Sequence, residues 1–280
     1  MNSETTAKNL VIIRPQRGWL SIGLRELWDY RELVYFFVWR DIKVRYKQTT
    51  VGVLWVVFQP LAAMLIFTLF FGRFAKMPSD NIPYPVFVYV GLILWNYFAF
   101  SLSHASESMV SNANIIQKIY FPRLIIPVAS SLIGLIDFFI ASLILLGLML
   151  YYHFTPTIKI VLYLPPLLLV SFLSSVGLGC FFASVNVKYR DVRYVIPFFI
   201  QMLMFLTPVI YPISMLGDKY KWLLSLNPMS GVIESARKVV FGNGTINWHF
   251  LFFSFIISIV LFAFGIIYFR RTEGYFADLI

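Results

Sequence analysis

The sequence predicts an all-α integral membrane protein with six transmembrane helices, an N-terminal amphipathic helix at the membrane interface, and an extracytoplasmic helical or re-entrant segment between the fifth and sixth spans. Two observations carry that prediction. Of the 280 residues, 59% are hydrophobic and only 13% charged, with mean hydropathy +0.77, far from the roughly half-apolar, quarter-charged mix of a soluble domain. Six stretches also reach the about 20 mainly apolar residues that a helix needs to cross a bilayer core of roughly 30 Å. A β-barrel would instead show alternating segments of about ten residues, and a run such as LIGLIDFFIASLILLGLMLYY does not alternate.

In chain order, residues 1–19 form a polar, proline-containing arm. Met1 to Gln48 lacks the short apolar core and small-residue cleavage site of a signal peptide, so no cleavable leader is expected. Residues 20–50 read as a cytoplasmic interfacial helix. In LRELWDYRELVYFFVWRDIKVRYKQ, Arg25, Asp29, Glu32, Arg40, Lys43 and Lys47 fall near one helical stripe, with Leu24, Leu27, Trp28, Val34, Val38 and Ile42 elsewhere. The transmembrane domain, 51–269, holds the six predicted spans: Val51 to Phe71, Pro85 to Ser103, Leu124 to Tyr152, Ile160 to Val187, Tyr194 to Ile213, and Trp248 to Phe269. Residues 270–280 are a short tail.

Lysine and arginine set the orientation, because they accumulate on the cytoplasmic side. Sixteen lie in the N-terminal tail, the second and fourth inter-span segments and the C-terminal tail, and seven in the remaining segments. Both termini are therefore expected in the cytoplasm, and the segment NANIIQKIYFPR, Asn112 to Arg123, faces it as well. The net charge of +10 sits beside membrane spans, where anionic headgroups account for it. Membrane lipids, and not nucleic acid, are the expected contact.

The sequence contains no Gly-Lys followed by Ser or Thr, so it has no phosphate loop for ATP. His104, His153 and His249 lack metal-ligand spacing, and no metal, cofactor or catalytic residue is expected in this chain. Cys180, the only cysteine, lies inside the fourth run, where packing is its expected role. Asp137 is the only acid well inside a predicted span, which makes it a functional candidate by default, although hydroxyls on neighbouring helices would also hold it. Aromatics make up 19% of the chain. Trp55, Phe58, Trp95, Tyr97, Phe198, Phe199 and Phe205 are candidates for lining a conduit, since the apolar faces of sugar rings pack on aromatic faces while their hydroxyls keep polar partners. Lipid-facing packing is the competing use.

Outside the membrane, Asn227 and Pro228 start a helix and Gly242 stops it, with Met229, Val232, Ile233, Ala236 and Val240 as an apolar face. Pro208 and Pro212 break the fifth span near its outer end. Backbone released there must be satisfied inside protein or by cavity water, which favours a pore mouth over a helix resting on headgroups.

Six stretches, in order, carry a family resemblance: RDIKVRYKQTTVGVLWVVFQPL, GLILWNYFAFSL, NANIIQKIYFPRLIIPVASS, ASVNVKYRDVRYVIPFFIQ, TPVIYPIS and LNPMSGVIESAR. From about Arg40 to the C-terminus the chain resembles the membrane subunits of type-2 ABC exporters that move polysaccharides, the O-antigen, capsule and teichoic-acid permeases. The resemblance implies the type-2 exporter (type V) fold and a homodimer in the cytoplasmic, or inner, membrane. It further implies two copies of a separate cytoplasmic ATP-binding subunit, which binds ATP and Mg, and an undecaprenyl-linked polysaccharide as cargo.

The resemblance also assigns residues. Asn112 to Tyr120 would be the coupling helix, with Ile115, Ile116 and Ile119 as an apolar insert into the ATPase, Tyr120 at its end, and Lys118 and Arg123 at its polar edge. Arg40, Lys43, Arg45 and Lys47 would gate the lipid carrier's pyrophosphate, which guanidinium groups suit. The first and fifth spans would line the channel at the dimer interface, and Pro228 to Phe241 would be an outer gate through Met229 and Ile233. Competing readings are an ABC permease for drugs or lipids, an ion-coupled carrier, and a membrane-embedded glycosyltransferase. The last needs clustered acids, and the thirteen acids here are scattered.

Overall fold

The computed structural model describes residues 28–47, 52–155, 158–242 and 245–276, which form helices joined by turns, with no strand among them. The arm expected over 1–19, both ends of the helix expected over 20–50, and the last four residues of the tail lie outside the described residues.

Helix α1 (Arg31–Lys47) precedes α2 (Gly52–Phe67), which widens into a π-helical stretch at Thr68–Phe74. Next come α3 (Tyr84–Ser111), the one-turn α4 (Ala113–Ile116), α5 (Ile125–Tyr151) and α6 (Lys159–Lys188). Then follow α7 (Val192–Leu206), the short α8 (Asp218–Ser225), α9 (Pro228–Phe241) and α10 (Trp248–Thr272). α2 with its π stretch, α3, α5, α6 and α10 are each long and apolar enough to cross a bilayer. The chain is a multi-pass membrane protein.

The axis of the bundle is α3, which packs against α5, α6, α9 and α2. In its most apolar stretch 78% of residues are buried, against 17% in α2, so α3 is enclosed by protein and α2 stands at the periphery. Between apolar helices in lipid, close contact and hydrogen bonds hold the bundle together. α6 and α10 touch backbone to backbone: a Cβ on Gly177 would come within 2.5 Å of the Leu261 carbonyl oxygen, and one on Gly265 would overlap the Gly177 carbonyl. Nearby, the Ser174 and Ser258 hydroxyls bond across the same crossing at 2.8 Å. Val176 and Ile266, which flank that crossing, belong to an apolar cluster in which Phe37, Ile116, Phe121, Leu124, Cys180 and Phe269 are buried together.

The stretch expected as the fifth span, Tyr194 to Ile213, divides. α7 has 15 residues, roughly 22 Å at 1.5 Å per residue, short of a core of about 30 Å. It ends because a residue before proline is pushed out of the helical region, and Thr207, before Pro208, is extended at φ −98°, ψ 139°. The described residues thus hold five full-length apolar helices and the shorter α7, where the sequence predicts six spans.

α1 also differs from the expected interfacial helix. It lies along α5 with a mixed inner face: Phe37 is buried and Leu33, Val34, Val38 and Ile42 are half-buried beside Arg40, Asp41 and Arg45, while Tyr35, Phe36, Trp39 and Val44 are exposed. Of the charged stripe, Asp29, Glu32, Lys43 and Lys47 stay exposed and only Arg40 turns partly inward, while Arg45, off that stripe, finds its partner on α5.

Candidate functional site

The turn containing α4 occupies the expected docking segment. Asn112 closes α3 by donating from its side chain to the Ser108 carbonyl at 2.8 Å. Ile116 is only 6% exposed, buried among Phe37, Met109, Phe121 and Leu124, whereas Ile119 and Tyr120 are 62% and 75% exposed. Ile115 is half-buried, and Lys118 is exposed. Helical spacing would put residues 116 and 119 on one face, but α4 ends at Ile116 and the following turn swings Ile119 outward. Arg123 points inward as well: its backbone N–H donates to Glu273 Oε1 at 3.4 Å and its guanidinium to the Glu273 carbonyl, at the end of α10. Two expectations are corrected here. Ile116 belongs to the subunit's own core, and Arg123 ties the turn to α10. The side chains that project are Lys118, Ile119 and Tyr120.

Midway along α5, Asp137 is held from α1. Arg45 Nη2 donates to Asp137 Oδ2 at 2.6 Å, and the Tyr46 hydroxyl donates to Oδ1. Burial, and then the bond to Asp137, push the Tyr46 hydroxyl up, so it remains a donor. The lone intramembrane acid is thus answered by a cation and a phenol. Arg45 also lies over the Phe100 ring, 4.3 Å from its centroid, and that ring stacks on His104 at 3.7 Å. Earlier on α1, Arg40 donates from Nε to Asp41 at 2.7 Å and from Nη2 to Asn112 Oδ1 at 2.9 Å.

Two cavities meet at Arg45. One, about 200 Å³, is lined by Trp55, Gln59, Asn96 and Asp137, and the other, about 380 Å³, by Arg40, His104, Glu107 and Asn112. Of the four cations expected to act together, Arg40 and Arg45 converge on these cavities. Lys43 lies over the Trp39 ring at 5.0 Å, and Lys47 is exposed; neither lines them.

The aromatic candidates separate by helix. Trp55 and Phe58 on α2, and Phe198 and Phe205 on α7, are exposed. Phe199 is half-buried on Phe182, at 5.3 Å between centroids. Trp95 and Tyr97 are inside the core, Trp95 on Phe98 at 5.4 Å and Tyr97 on Phe138 at 6.1 Å. Tyr97 reaches only the wall of the smaller cavity, and Trp95 lines neither. Both are buried because α3 has neighbours on every side.

On the far side, α9 is seated among α3, α6 and α10, capped by the Asn227 side chain, which accepts from Met229 N at 3.0 Å. The same side chain donates to Thr207 Oγ1 at 2.7 Å, joining the cap to the break after α7. Arg237, wholly buried, supplies that break. It donates to the Pro208 carbonyl at 2.7 Å, the Val209 carbonyl at 2.6 Å and the Phe87 carbonyl at 3.2 Å, with its guanidinium 3.6 Å from the Phe87 ring centroid. The next carbonyl, Ile210, accepts from the Tyr84 hydroxyl at 2.8 Å. Burial pulls Arg237 down to about 10, so it is a cation at neutral pH. Non-helical backbone at this depth is satisfied inside protein, as the prolines required.

Met229 and Ile233 are fully buried. The apolar face of α9, which carries both expected gate residues, packs on protein in this structure. The sequence reading missed Arg237 and Tyr46 as site residues. For Arg237 a signal existed: a cation four residues after Ile233 falls on the helix's apolar stripe, where only an internal partner makes it tolerable.

Among similar proteins, an O-antigen export system permease protein, RfbA, of Klebsiella pneumoniae is 29% identical over 241 residues, covering 86% of this chain and 92% of the relative. The protein of the same name from Myxococcus xanthus is 29% identical over 221 residues, covering 78% and 84%. The polysialic acid transport protein KpsM of Escherichia coli is 28% identical over 210 residues, covering 72% and 78%. A family model described as ABC-2 type transporter matches residues 32–241, a stretch that takes in the Arg45–Asp137 pair, the turn containing α4 and Arg237. The chain belongs to the ABC-2 type transporter family.

Proposed function

We propose that this chain is the permease subunit of an ATP-driven exporter that moves lipid-linked polysaccharide, such as O-antigen, capsular polysaccharide or teichoic acid, across the inner membrane. The observation that carries this reading is similarity along nearly the full length of two chains named as O-antigen export permeases, with a polysialic acid transporter behind them. The energy comes from elsewhere. Without a phosphate loop in the sequence, ATP and its magnesium ion bind a separate cytoplasmic subunit, two copies of which serve a homodimer of this chain.

Within that dimer, α2 and α7 of each copy face the translocation path. Supporting this are the apolar and aromatic faces that one copy leaves uncovered: Trp55 and Phe58 on α2, and Tyr194, Phe198, Met202 and Phe205 on α7. Such faces suit the C–H faces of sugar rings. The sixth crossing is made by α7 together with the Thr207–Ile210 turn that Arg237 and Tyr84 hold in place. Both termini are cytoplasmic, in keeping with the distribution of Lys and Arg, and the ATPase docks on Lys118, Ile119 and Tyr120.

Docking is tested by co-purifying the permease with its ATP-binding partner, comparing wild type with Ile119→Asp/Tyr120→Ala. Losing exposed anchors should cut association and ATP turnover at least about tenfold, the 1.4 kcal/mol scale of one interface hot spot. Thermal stability of the permease alone should not change. A double variant that still associates removes the docking assignment. Cells that lose the chain yet accumulate no lipid-linked glycan in the inner leaflet refute the cargo, and a drug or lipid permease becomes the better reading.

A further inference from the structure

In the state this structure describes, Asp137 already occupies Arg45. A carboxylate at that depth requires a compensating cation, and α1 supplies it with two donors: one carboxylate oxygen takes Arg45 Nη2 at 2.6 Å, and the other takes the Tyr46 hydroxyl. An ion pair of this kind specifies position more than it adds stability, because desolvation offsets much of the attraction. Its replacement by a second anion of higher charge is therefore feasible wherever that anion has room and donors.

Room and donors are present beside it. The cavity of about 380 Å³ is lined by Arg40 and Arg45 together, with Ser108, Ser111, Asn112 and Ser130. The acids facing the same space are Asp41, paired with Arg40 at 2.7 Å, and Glu107. With these carboxylates in place the cavity carries little net charge, so an incoming phosphate gains most if it substitutes for an internal carboxylate. Guanidinium groups match phosphate oxygens in pairs, and of the two arginines Arg45 is the one whose carboxylate partner stands on a different helix, α5.

We propose that Asp137 is an exchangeable counter-ion: the phosphate-bearing head of the lipid-linked cargo displaces its carboxylate from Arg45, and Asp137 reclaims Arg45 when the cargo has passed. The proposal rests on the export reading above and adds to it a competitor built into the binding site. Competition of this kind lowers apparent affinity by the fraction of Arg45 that is held, which lets the head bind and then leave. α1 also links the exchange to the docking turn, because Arg40 on the same helix donates to Asn112 at 2.9 Å.

The experiment measures binding of farnesyl pyrophosphate, an isoprenyl pyrophosphate probe, to the permease–ATPase complex in nanodiscs of zwitterionic lipid. Wild type is compared with Asp137→Asn, Tyr46→Phe and Arg45→Gln. Removing the competitor should tighten binding at least about tenfold in Asp137→Asn, and about threefold in Tyr46→Phe, which keeps both charges and only loosens the hold on Asp137. Arg45→Gln should weaken it at least about tenfold. Unchanged affinity in both Asp137→Asn and Tyr46→Phe overturns the exchange, and if Asp137→Asn fails to assemble, Tyr46→Phe alone decides it. Inorganic pyrophosphate binding as tightly as the farnesyl probe would assign the site to free phosphate, and loss of probe binding on adding phosphatidylglycerol would assign it to bulk anionic lipid. Either result overturns the cargo-head assignment. If the affinity order holds but the complex exports no glycan, the export reading fails and the exchange stands. If all three variants export glycan normally, the exchange fails and the export reading stands.

Discussion

Replacing Arg237 with Met keeps the length of the side chain and removes its charge and its donors. Three carbonyls lose a partner, but not equally. Phe87 lies inside α3, where its oxygen still faces the next helical turn. Pro208 and Val209 follow the end of α7, and among the described residues only Arg237 donates to their oxygens. Each buried acceptor left without a donor costs about 1–3 kcal/mol, so the pair costs about 2–6 kcal/mol, and loss of the contact over Phe87 adds about 1–2 kcal/mol. Relief of the cation's own burial offsets part of this, leaving a net loss of about 2–5 kcal/mol, in line with removal of one partner from a buried charged contact. By the scaling for chains of about 150–250 residues, that is a drop of roughly 4–20 °C. The assay is the melting of the monodisperse peak in detergent, followed by fluorescence-detected gel filtration. Arg237→Lys should fall between, since a compact ammonium cannot serve three carbonyls as a planar fork does. A Met variant melting within about 2 °C of wild type would show that the carbonyls after α7 find other donors and would refute the reasoning.

Gly265→Ala places a methyl on the Gly177 carbonyl, and because the obstacle is backbone, α6 and α10 have to separate. The expected loss is at least about 1–3 kcal/mol, read in the same melting assay, and an undiminished melting temperature would mean the two helices slide apart at no cost. Ile116→Asp buries an unpaired carboxylate among Phe37, Phe121 and Leu124, so it should destabilise the permease itself by at least about 3 kcal/mol, whereas Ile119→Asp should leave the melting temperature unchanged. Equal melting of the two variants would contradict the outward turn after α4.

Long apolar runs identify spans from sequence because length and composition suffice, and α2, α3, α5, α6 and α10 are where those runs predict. The prolines after α7 were equally legible, since their effect is local. What the runs conceal is orientation within the bundle. Trp95 and Phe58 both sit in long apolar stretches, and the more apolar of the two is the less buried: α3 is the axis and α2 the rim, so one is core and the other exposed. Partnerships between distant segments are hidden for the same reason. Asp137 stands out as a lone acid, but its cation lies 92 residues away on α1, off the charged stripe by which that helix is read. Arg237 was visible only as one more extracytoplasmic charge, until the apolar stripe on which it falls is taken as a burial signal.

The half-buried Arg40 and Arg45 of α1 also bear on how force would travel on the export reading. The docking turn grips α1 twice, through Phe37, 5.7 Å from Phe121 between ring centroids, and through Arg40 on Asn112. It grips α10 through Arg123 and Glu273, beside Phe269 packed on Phe276 at 5.1 Å. A turn pinned on both sides cannot absorb a push by flexing alone, because packed contacts shift between discrete arrangements and do not deform smoothly. α10 is locked backbone to backbone against α6. α1 is the looser of the two partners, with its aromatic face exposed and Phe37 its one fully buried side chain. Displacement of the turn therefore passes most readily into α1, the helix that also carries the contact between Arg45 and Asp137.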